Sequence, residues 1–191
     1  MKSHFFAYIA RMRYIMRWAL MRNTSSENVQ EHSHMTAVLA HALAVIRNKV
    51  YGGAVDAGAV AAAALYHDAT EIITGDMPTP VKYYNPEIKA SYKKVESIAC
   101  DRLVSMLPEE LRGEYDALLR CEDEEIRLLV KAADKLSAYI KCVEELKAGN
   151  SEFARAARQT RDALDAMNLP ELQYFMDHCM DSFSMTLDEL E

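Results

Sequence analysis

Asp56-Ala57-Gly58-Ala59-Val60-Ala61-Ala62-Ala63-Ala64-Leu65-Tyr66-His67-Asp68-Ala69-Thr70 is alanine-rich and almost wholly apolar until its last turn, the composition of a helix buried on most sides. The stretch predicts a helix from Asp56 to about Thr70. Upstream, Thr24-Ser25-Ser26-Glu27 has the capping-box pattern and opens an expected helix through about Asn48. On it Met35, Val38, Leu39, Ala42, Val45 and Ile46 keep the helical period, and Tyr51-Gly52-Gly53 ends it. Downstream, Gly75 to Pro86 holds one glycine and three prolines and reads as loop. Val95, Ile98, Ala99, Leu103 and Met106 mark a further helix stopped by Pro108. Glu124 to about Ala148 is a long one, with Ile126, Leu129, Val130, Ala133 and Ile140 inward and Gly149-Asn150 as its stop. Phe153, Ala156, Ala157, Thr160, Leu164 and Met167 give another, and Leu172, Phe175, Met176 and Cys179 a short last one after Pro170. No segment alternates as a strand does and none repeats. The expectation is one all-α domain over residues 1–191, a bundle of about six or seven helices.

Composition narrows the function classes. Half of the 191 residues are apolar and 27% are charged, a soluble globular balance, and 6 glycines with 5 prolines are too few for a turn-rich β sandwich. A net charge of −7 argues against nucleic acid and acidic membrane surfaces, which need clustered Lys and Arg. The longest apolar run, Ala59 to Tyr66, is far too short to span a bilayer, and Arg11, Arg13 and Arg17 interrupt the apolar amino end. Cys100, Cys121, Cys142 and Cys179 form no CxxC pair, as expected of a reduced cytoplasmic protein with free thiols.

The histidines are the most informative residues. His67-Asp68 ends a helix predicted to be buried, where an ionised carboxylate is costly unless paired or bound to a cation. Glu71 follows within one turn and Asp76 within a tight loop at Gly75. Far away in sequence, His32 lies near the apolar side of its helix, and Asp134, in Lys131-Ala132-Ala133-Asp134-Lys135, borders a core stripe. Each alone is more often a hydrogen-bonded histidine or a solvated charge. Together with His67-Asp68 they make a two-His, two-carboxylate set of the kind that holds Mn²⁺, Co²⁺, Fe²⁺ or Zn²⁺ with coordination positions open.

The spaced pattern His32 … His67-Asp68 … Asp134 resembles the HD-domain metal-dependent phosphohydrolases. The strings Arg17-Trp18-Ala19-Leu20-Met21-Arg22-Asn23, Glu27-Asn28-Val29-Gln30-Glu31-His32-Ser33, His67-Asp68-Ala69-Thr70-Glu71, Thr74-Gly75-Asp76-Met77-Pro78-Thr79-Pro80-Val81-Lys82-Tyr83 and Lys141-Cys142-Val143-Glu144-Glu145-Leu146 resemble, more narrowly, the bacterial 5′-deoxynucleotidases of the YfbR type. Thr70 stands where serine is often found in that family, which keeps the hydroxyl.

This resemblance implies a single HD domain that hydrolyses deoxyribonucleoside 5′-monophosphates to deoxynucleoside and phosphate, by in-line attack of a metal-activated water. It implies one divalent cation, with cobalt or manganese the expected ions, and a homodimer. His32, His67, Asp68 and Asp134 become the metal ligands, and Glu71 and Asp76 the catalytic acid/base or water-positioning groups. Arg17, Trp18, Met77, Pro78 and Thr79 join His32, Asp68, Asp76 and Asp134 in contacting substrate. In those roles Arg17 offers a fork for phosphate, and Trp18 a wall that leaves a ribose 2′-hydroxyl crowded and unpaired. Two-metal HD relatives need additional histidines between the His-Asp pair and the last aspartate; this interval has none, which points to one metal. The alternatives are an HD phosphohydrolase acting on a triphosphate or alarmone, and a catalytically silent nucleotide-sensing module. Sparse basic residues near the motifs disfavour the first, and two additional carboxylates facing a phosphate disfavour the second.

Overall fold

The alanine-rich stretch after Asp56 becomes a helix buried on one face and not on most sides: Val60, Ala63 and Ala64 are buried, and Gly58 and Leu65 are exposed because alanines alone do not bring neighbours to every side. A computed structural model describes residues 2–82 and 84–190, and the backbone alone of Thr79 and Pro80. Among the described residues the α-helices are α1 (Phe5–Ile9), α2 (Val29–Val50), α3 (Ala57–Tyr66), α4 (Glu71–Thr74), α5 (Thr79–Lys82), α6 (Pro86–Ser105), α7 (Glu109–Arg120), α8 (Glu124–Lys147), α9 (Ala154–Asp165) and α10 (Pro170–His178). Seven of these run nine residues or more, α2, α3 and α6 to α10. No strand forms among the described residues, where Met16 and Asn28 make an isolated bridge, so the fold is all-α.

The alanines of α3 let α2 and α8 approach closely, and these three helices pack on one another. Leu39 and Leu43 of α2, Val60 and Ala64 of α3, and Leu129, Ala133 and Leu136 of α8 form the centre of the main core, closed by Leu164, Leu172 and Phe175 from α9 and α10. A smaller cluster fixes the amino end: Phe5 is fully buried and packs on Tyr66 and Tyr115, with ring centroids 6.5 and 5.0 Å away. None of the described helices is long and apolar enough to cross a membrane. All four cysteines are free.

The structure corrects several local expectations. Helix α2 starts at Val29: the Asn28 side chain accepts from the Glu31 backbone N–H at 3.0 Å, and the Glu31 carboxylate accepts from that of Asn28 at 3.1 Å. Both Thr24-x-x-Glu27 and Asn28-x-x-Glu31 fit the capping pattern, and the second is the one used because Thr24 and Glu27 are bonded elsewhere. Val38 is 51% exposed, whereas His32, Ser33 and Thr36 are buried; an apolar-only pattern misplaces a helix face that has polar residues to bury. Helix α3 ends at Tyr66, and a tight turn through His67–Thr70 precedes α4. The proline-rich segment holds the short α5, and its last proline starts a helix instead of ending a loop: Asn85 caps α6 by accepting from the Ile88 N–H at 2.7 Å, with Pro86 in the first turn. On α6, Val95 and Ile98 are exposed. Helix α7 was not expected, although Leu111, Tyr115, Leu118 and Leu119 recur at helical spacing; none of its residues is fully buried.

Candidate metal centre

Three separate segments deliver the histidine and carboxylate donors to one place. The first turn of α2 supplies His32, the turn after α3 supplies His67 and Asp68, and the middle of α8 supplies Asp134. One donor atom each from His32, His67 and Asp68 lie within 4.8 Å of one another. Asp134 Oδ1 stands 3.1 Å from His32 Nε2 and 4.0 Å from His67 Nε2. Asp68 Oδ2 lies 3.7 Å from His32 Nε2 and 3.1 Å from His67 Nε2.

The hydrogen bonds around the rings prepare them for a cation. His67 Nδ1 lies 2.7 Å from the Ala64 carbonyl, which can only accept, so Nδ1 carries a proton and neutral His67 keeps its lone pair on Nε2. That Nε2 is buried and has no hydrogen-bond partner, despite the nearby Asp68 oxygen. His32 Nδ1 lies 3.2 Å from Ser137 Oγ, a hydroxyl that can serve either tautomer and so can free Nε2 for a metal. Two imidazoles and two carboxylates, with a buried lone pair aimed among them, fit a divalent transition metal.

Around this cluster sit the acid/base and anion-binding candidates. Glu71, at the start of α4, is 8% exposed, and its Oε2 has no partner. Burial, then the charges of Asp68 and Asp76, push its carboxyl up to about 9. Asp76, just past the positive-φ Gly75, is also raised, by burial and by Asp68 against the pull of Arg17. Burial works against the Asp68 carboxylate, but the His67 imidazole, His32 and Arg17 outweigh it and hold the group well below the usual range. Burial likewise opposes charge on His67, and Asp68 and Asp134 reverse the effect and push it up to about 9. With no cation bound, a proton on His67 supplies the positive charge.

Arg17 lies in an irregular segment between the first 3₁₀ turn and α2. Its Nη1 is 3.5 Å from Asp68 Oδ2, and its Nε donates to Glu27 Oε2 at 3.1 Å. Trp18, half-buried, donates from Nε1 to the same Glu27 oxygen at 2.9 Å and packs on Phe153. Met77 is half-buried and Pro78 exposed on the segment entering α5; the side chain of Thr79 and all of Tyr83 lie outside the described residues. A cavity of about 480 Å³ between α9 and α10, lined by Arg161, Asp165, Asn168 and Gln173 among others, contains none of these groups. Sequence reasoning missed Ser137 and Glu27. The signal for Ser137 was its place one helical turn after Asp134; for Glu27 it was the need of a buried Arg-Trp pair for an acceptor.

The 5′-deoxynucleotidase YfbR-like family model matches residues 4–183. The chain belongs to that family. It is 51% identical over 191 residues to a 5′-deoxynucleotidase of Vibrio vulnificus, covering 99% of this chain and 98% of the relative. A 5′-deoxynucleotidase of Photobacterium profundum is 49% identical over 191 residues, with the same coverage. Among solved structures, an HD-domain phosphohydrolase of Listeria innocua superposes with a TM-score of 0.81 at 21% identity, over 94% of this chain and 88% of that one. The cyanophage S-2L HD phosphohydrolase, solved with dA and one catalytic Zn²⁺ ion, gives a TM-score of 0.64 at 21% identity, over 92% and 96%. At such identities the likeness to the solved structures is one of fold. Members of the YfbR-like family thus share this chain's sequence over nearly its whole length.

Proposed function

We propose that this chain is a metal-dependent 5′-deoxynucleotidase that hydrolyses deoxyribonucleoside 5′-monophosphates to deoxynucleoside and inorganic phosphate. The observation that carries the reading is the convergence of His32, His67, Asp68 and Asp134 from three segments of chain, with Arg17 Nη1 3.5 Å from Asp68. His32, His67, Asp68 and Asp134 hold the divalent cation, cobalt or manganese among the candidates. Bound there, it supplies Lewis-acid polarisation of a phosphate oxygen and of water.

The chain's own residues do the rest. Arg17, its fork turned toward Asp68, binds and orients the dianionic phosphate. Glu71, whose carboxyl is raised by burial and by the charges of Asp68 and Asp76, delivers a proton to the departing 5′ oxygen, since an alkoxide is a poor leaving group. Asp76, a stronger base than an ordinary carboxylate, takes the proton of the attacking water. Trp18 bounds the sugar, and Met77, Pro78 and Thr79 pass the base through contacts that tolerate its identity. The enzyme works in the cytoplasm as a homodimer.

The test is phosphate release from dAMP against AMP and dTMP against UMP, with chelated, Co²⁺-loaded and Mn²⁺-loaded protein and His67→Ala as control. Metal-dependent turnover of the deoxy members, abolished in His67→Ala together with metal binding while helical circular dichroism persists, is the expected result. No release from any monophosphate by metal-loaded protein would overturn it and favour a triphosphate, an alarmone or a sensing role.

A further inference from the structure

One oxygen of Glu27 joins two neighbouring side chains, those of Arg17 and Trp18. Its Oε2 accepts from Arg17 Nε at 3.1 Å and from Trp18 Nε1 at 2.9 Å, while its backbone carbonyl accepts from the Arg17 N–H at 2.9 Å. The Met16–Asn28 bridge and the bond from Val29 N–H to the Ile15 carbonyl, 2.9 Å, close the loop beneath it. Trp18 is held at a φ of 57°, a left-handed conformation that is unfavourable for a bulky residue and persists only where neighbouring contacts fix it. The Met21 N–H and the Asn23 side-chain amide donate to the Trp18 carbonyl at 2.9 and 3.3 Å and fix that backbone, while the indole itself is held by Glu27 and by Phe153, whose ring centroid is 5.3 Å away.

We propose that Glu27 is a positioning residue that locks the Arg17 fork and the Trp18 ring in one rigid unit and thereby sets the discrimination between deoxyribose and ribose. The inference rests on the 5′-deoxynucleotidase reading and adds to it a residue that touches no substrate. With Nε committed to Glu27, the guanidinium presents its Nη groups toward the site, where Nη1 already lies 3.5 Å from Asp68. With Nε1 committed as well, the indole has no donor to offer a 2′-hydroxyl. A ribose would then meet an apolar face that leaves the hydroxyl unpaired, and a ring that cannot swing aside to admit water. Selectivity thus requires that the ring be fixed, and Glu27 fixes it through the same atom that aims the phosphate-binding arginine.

Two variants and two readouts test this. Glu27→Ala removes both hydrogen bonds, whereas Glu27→Gln keeps an acceptor oxygen in place without the charge. The ratio of kcat/KM for dAMP to that for AMP is independent of the folded fraction of a preparation, so a merely structural defect does not move it. Trp18 is the chain's one tryptophan, so acrylamide quenching of intrinsic fluorescence reports its mobility without any turnover. Glu27→Ala is expected to lower the ratio about tenfold or more and to raise the quenching, with dAMP KM increased and bound metal unchanged; Glu27→Gln is expected to restore most of the ratio and of the protection. Unchanged quenching in Glu27→Ala overturns the positioning role, and raised quenching with an unchanged ratio overturns the link to selectivity. Wild-type protein that fails to discriminate dAMP from AMP refutes the deoxynucleotidase reading and with it the link to selectivity, while the quenching comparison still decides whether Glu27 holds the ring.

Discussion

Thr24, ahead of α2, donates its hydroxyl to Glu145 Oε2 at 2.7 Å and its backbone N–H to the same oxygen at 2.9 Å, across 121 residues of chain. Lys141, one helical turn before Glu145 on α8, pairs with that carboxylate and donates to the Ser25 carbonyl. Asn150 adds a bond of 2.9 Å from just past the helix end. Glu145 is 1% exposed and Lys141 4%. This buried ion pair therefore fastens the segment bearing Arg17, Trp18 and Glu27 to the helix bearing Asp134.

Removing one partner of such a pair leaves the other charged and buried. Glu145→Ala is expected to cost roughly 3–5 kcal/mol of stability, read as a lower urea midpoint. Replacing both residues by methionine and leucine is expected to cost less than the single change. Burial raises the Glu145 carboxyl, but the bonds from Lys141, Asn150 and Thr24 outweigh it and hold the group well below its ordinary range. Its contribution is thus present above the ordinary glutamate value and lost as pH falls through the native one, so Glu145→Gln should flatten the acid limb of the stability curve.

The all-helical architecture and the clustering of His32, His67 and Asp68 were legible for one reason: helical periodicity and a His-Asp pair leave local marks. The alanine run of α3 announced a helix, although one buried on a single face, through Val60, Ala63 and Ala64, and not on most sides, and His67-Asp68 at its end stood out against that background. Long-range bonds leave no such mark. Thr24 and Glu27 fit a helix cap in the sequence, yet one reaches α8 and the other holds Arg17 and Trp18. The inward face of α2 was misjudged at Val38 because His32, Ser33 and Thr36 compete for the interior. Helix α7 was readable from Leu111, Tyr115, Leu118 and Leu119 at helical spacing and was not expected; it touches the smaller core cluster through Tyr115 and Leu119.

The metal-free protein should lose stability as pH rises through neutrality. His67, raised from 6.5 to about 9, contributes stability that is complete below 6.5 and is lost as pH climbs toward 9. Glu71, neutral when folded and ionised when unfolded, adds a penalty that grows from 4.5 up to about 9. A bound cation needs His67 deprotonated, so metal should reverse the slope and binding should release protons. At a free metal concentration about a hundred times Kd the protection is about 2.7 kcal/mol. Thermal melts of chelated and metal-loaded protein across this pH range check both signs.

Glu71→Gln should separate binding from chemistry. The amide fills the same space and removes the dissociable proton, and the buried Oε2 of Glu71 has no hydrogen-bond partner, whereas Asp68 and Asp134 each pair with a histidine of the cluster. Metal content should therefore stay constant while kcat falls by about 10²–10⁴. A parallel loss of metal would assign Glu71 to the ligand set instead.

Arg17 and Arg22 lie in the same segment ahead of α2 but differ in setting, which makes them a matched pair. The Arg22 side chain is 96% exposed and pairs at 3.4 Å with Glu152, while that of Arg17 is 12% exposed and spans Glu27 and Asp68. A lysine at position 17 keeps the charge but loses the planar fork, and with it the Nε bond to Glu27. Charge-assisted bonds are worth about 1.5–3 kcal/mol each, so Arg17→Lys should raise the dAMP KM and the inhibition constant of inorganic phosphate by about 10- to 100-fold. Arg22→Lys should change neither by more than about twofold, because an exposed pair contributes about 0–1 kcal/mol. Equal effects of the two substitutions would show that position 17 acts through net charge alone and would remove the fork from the site.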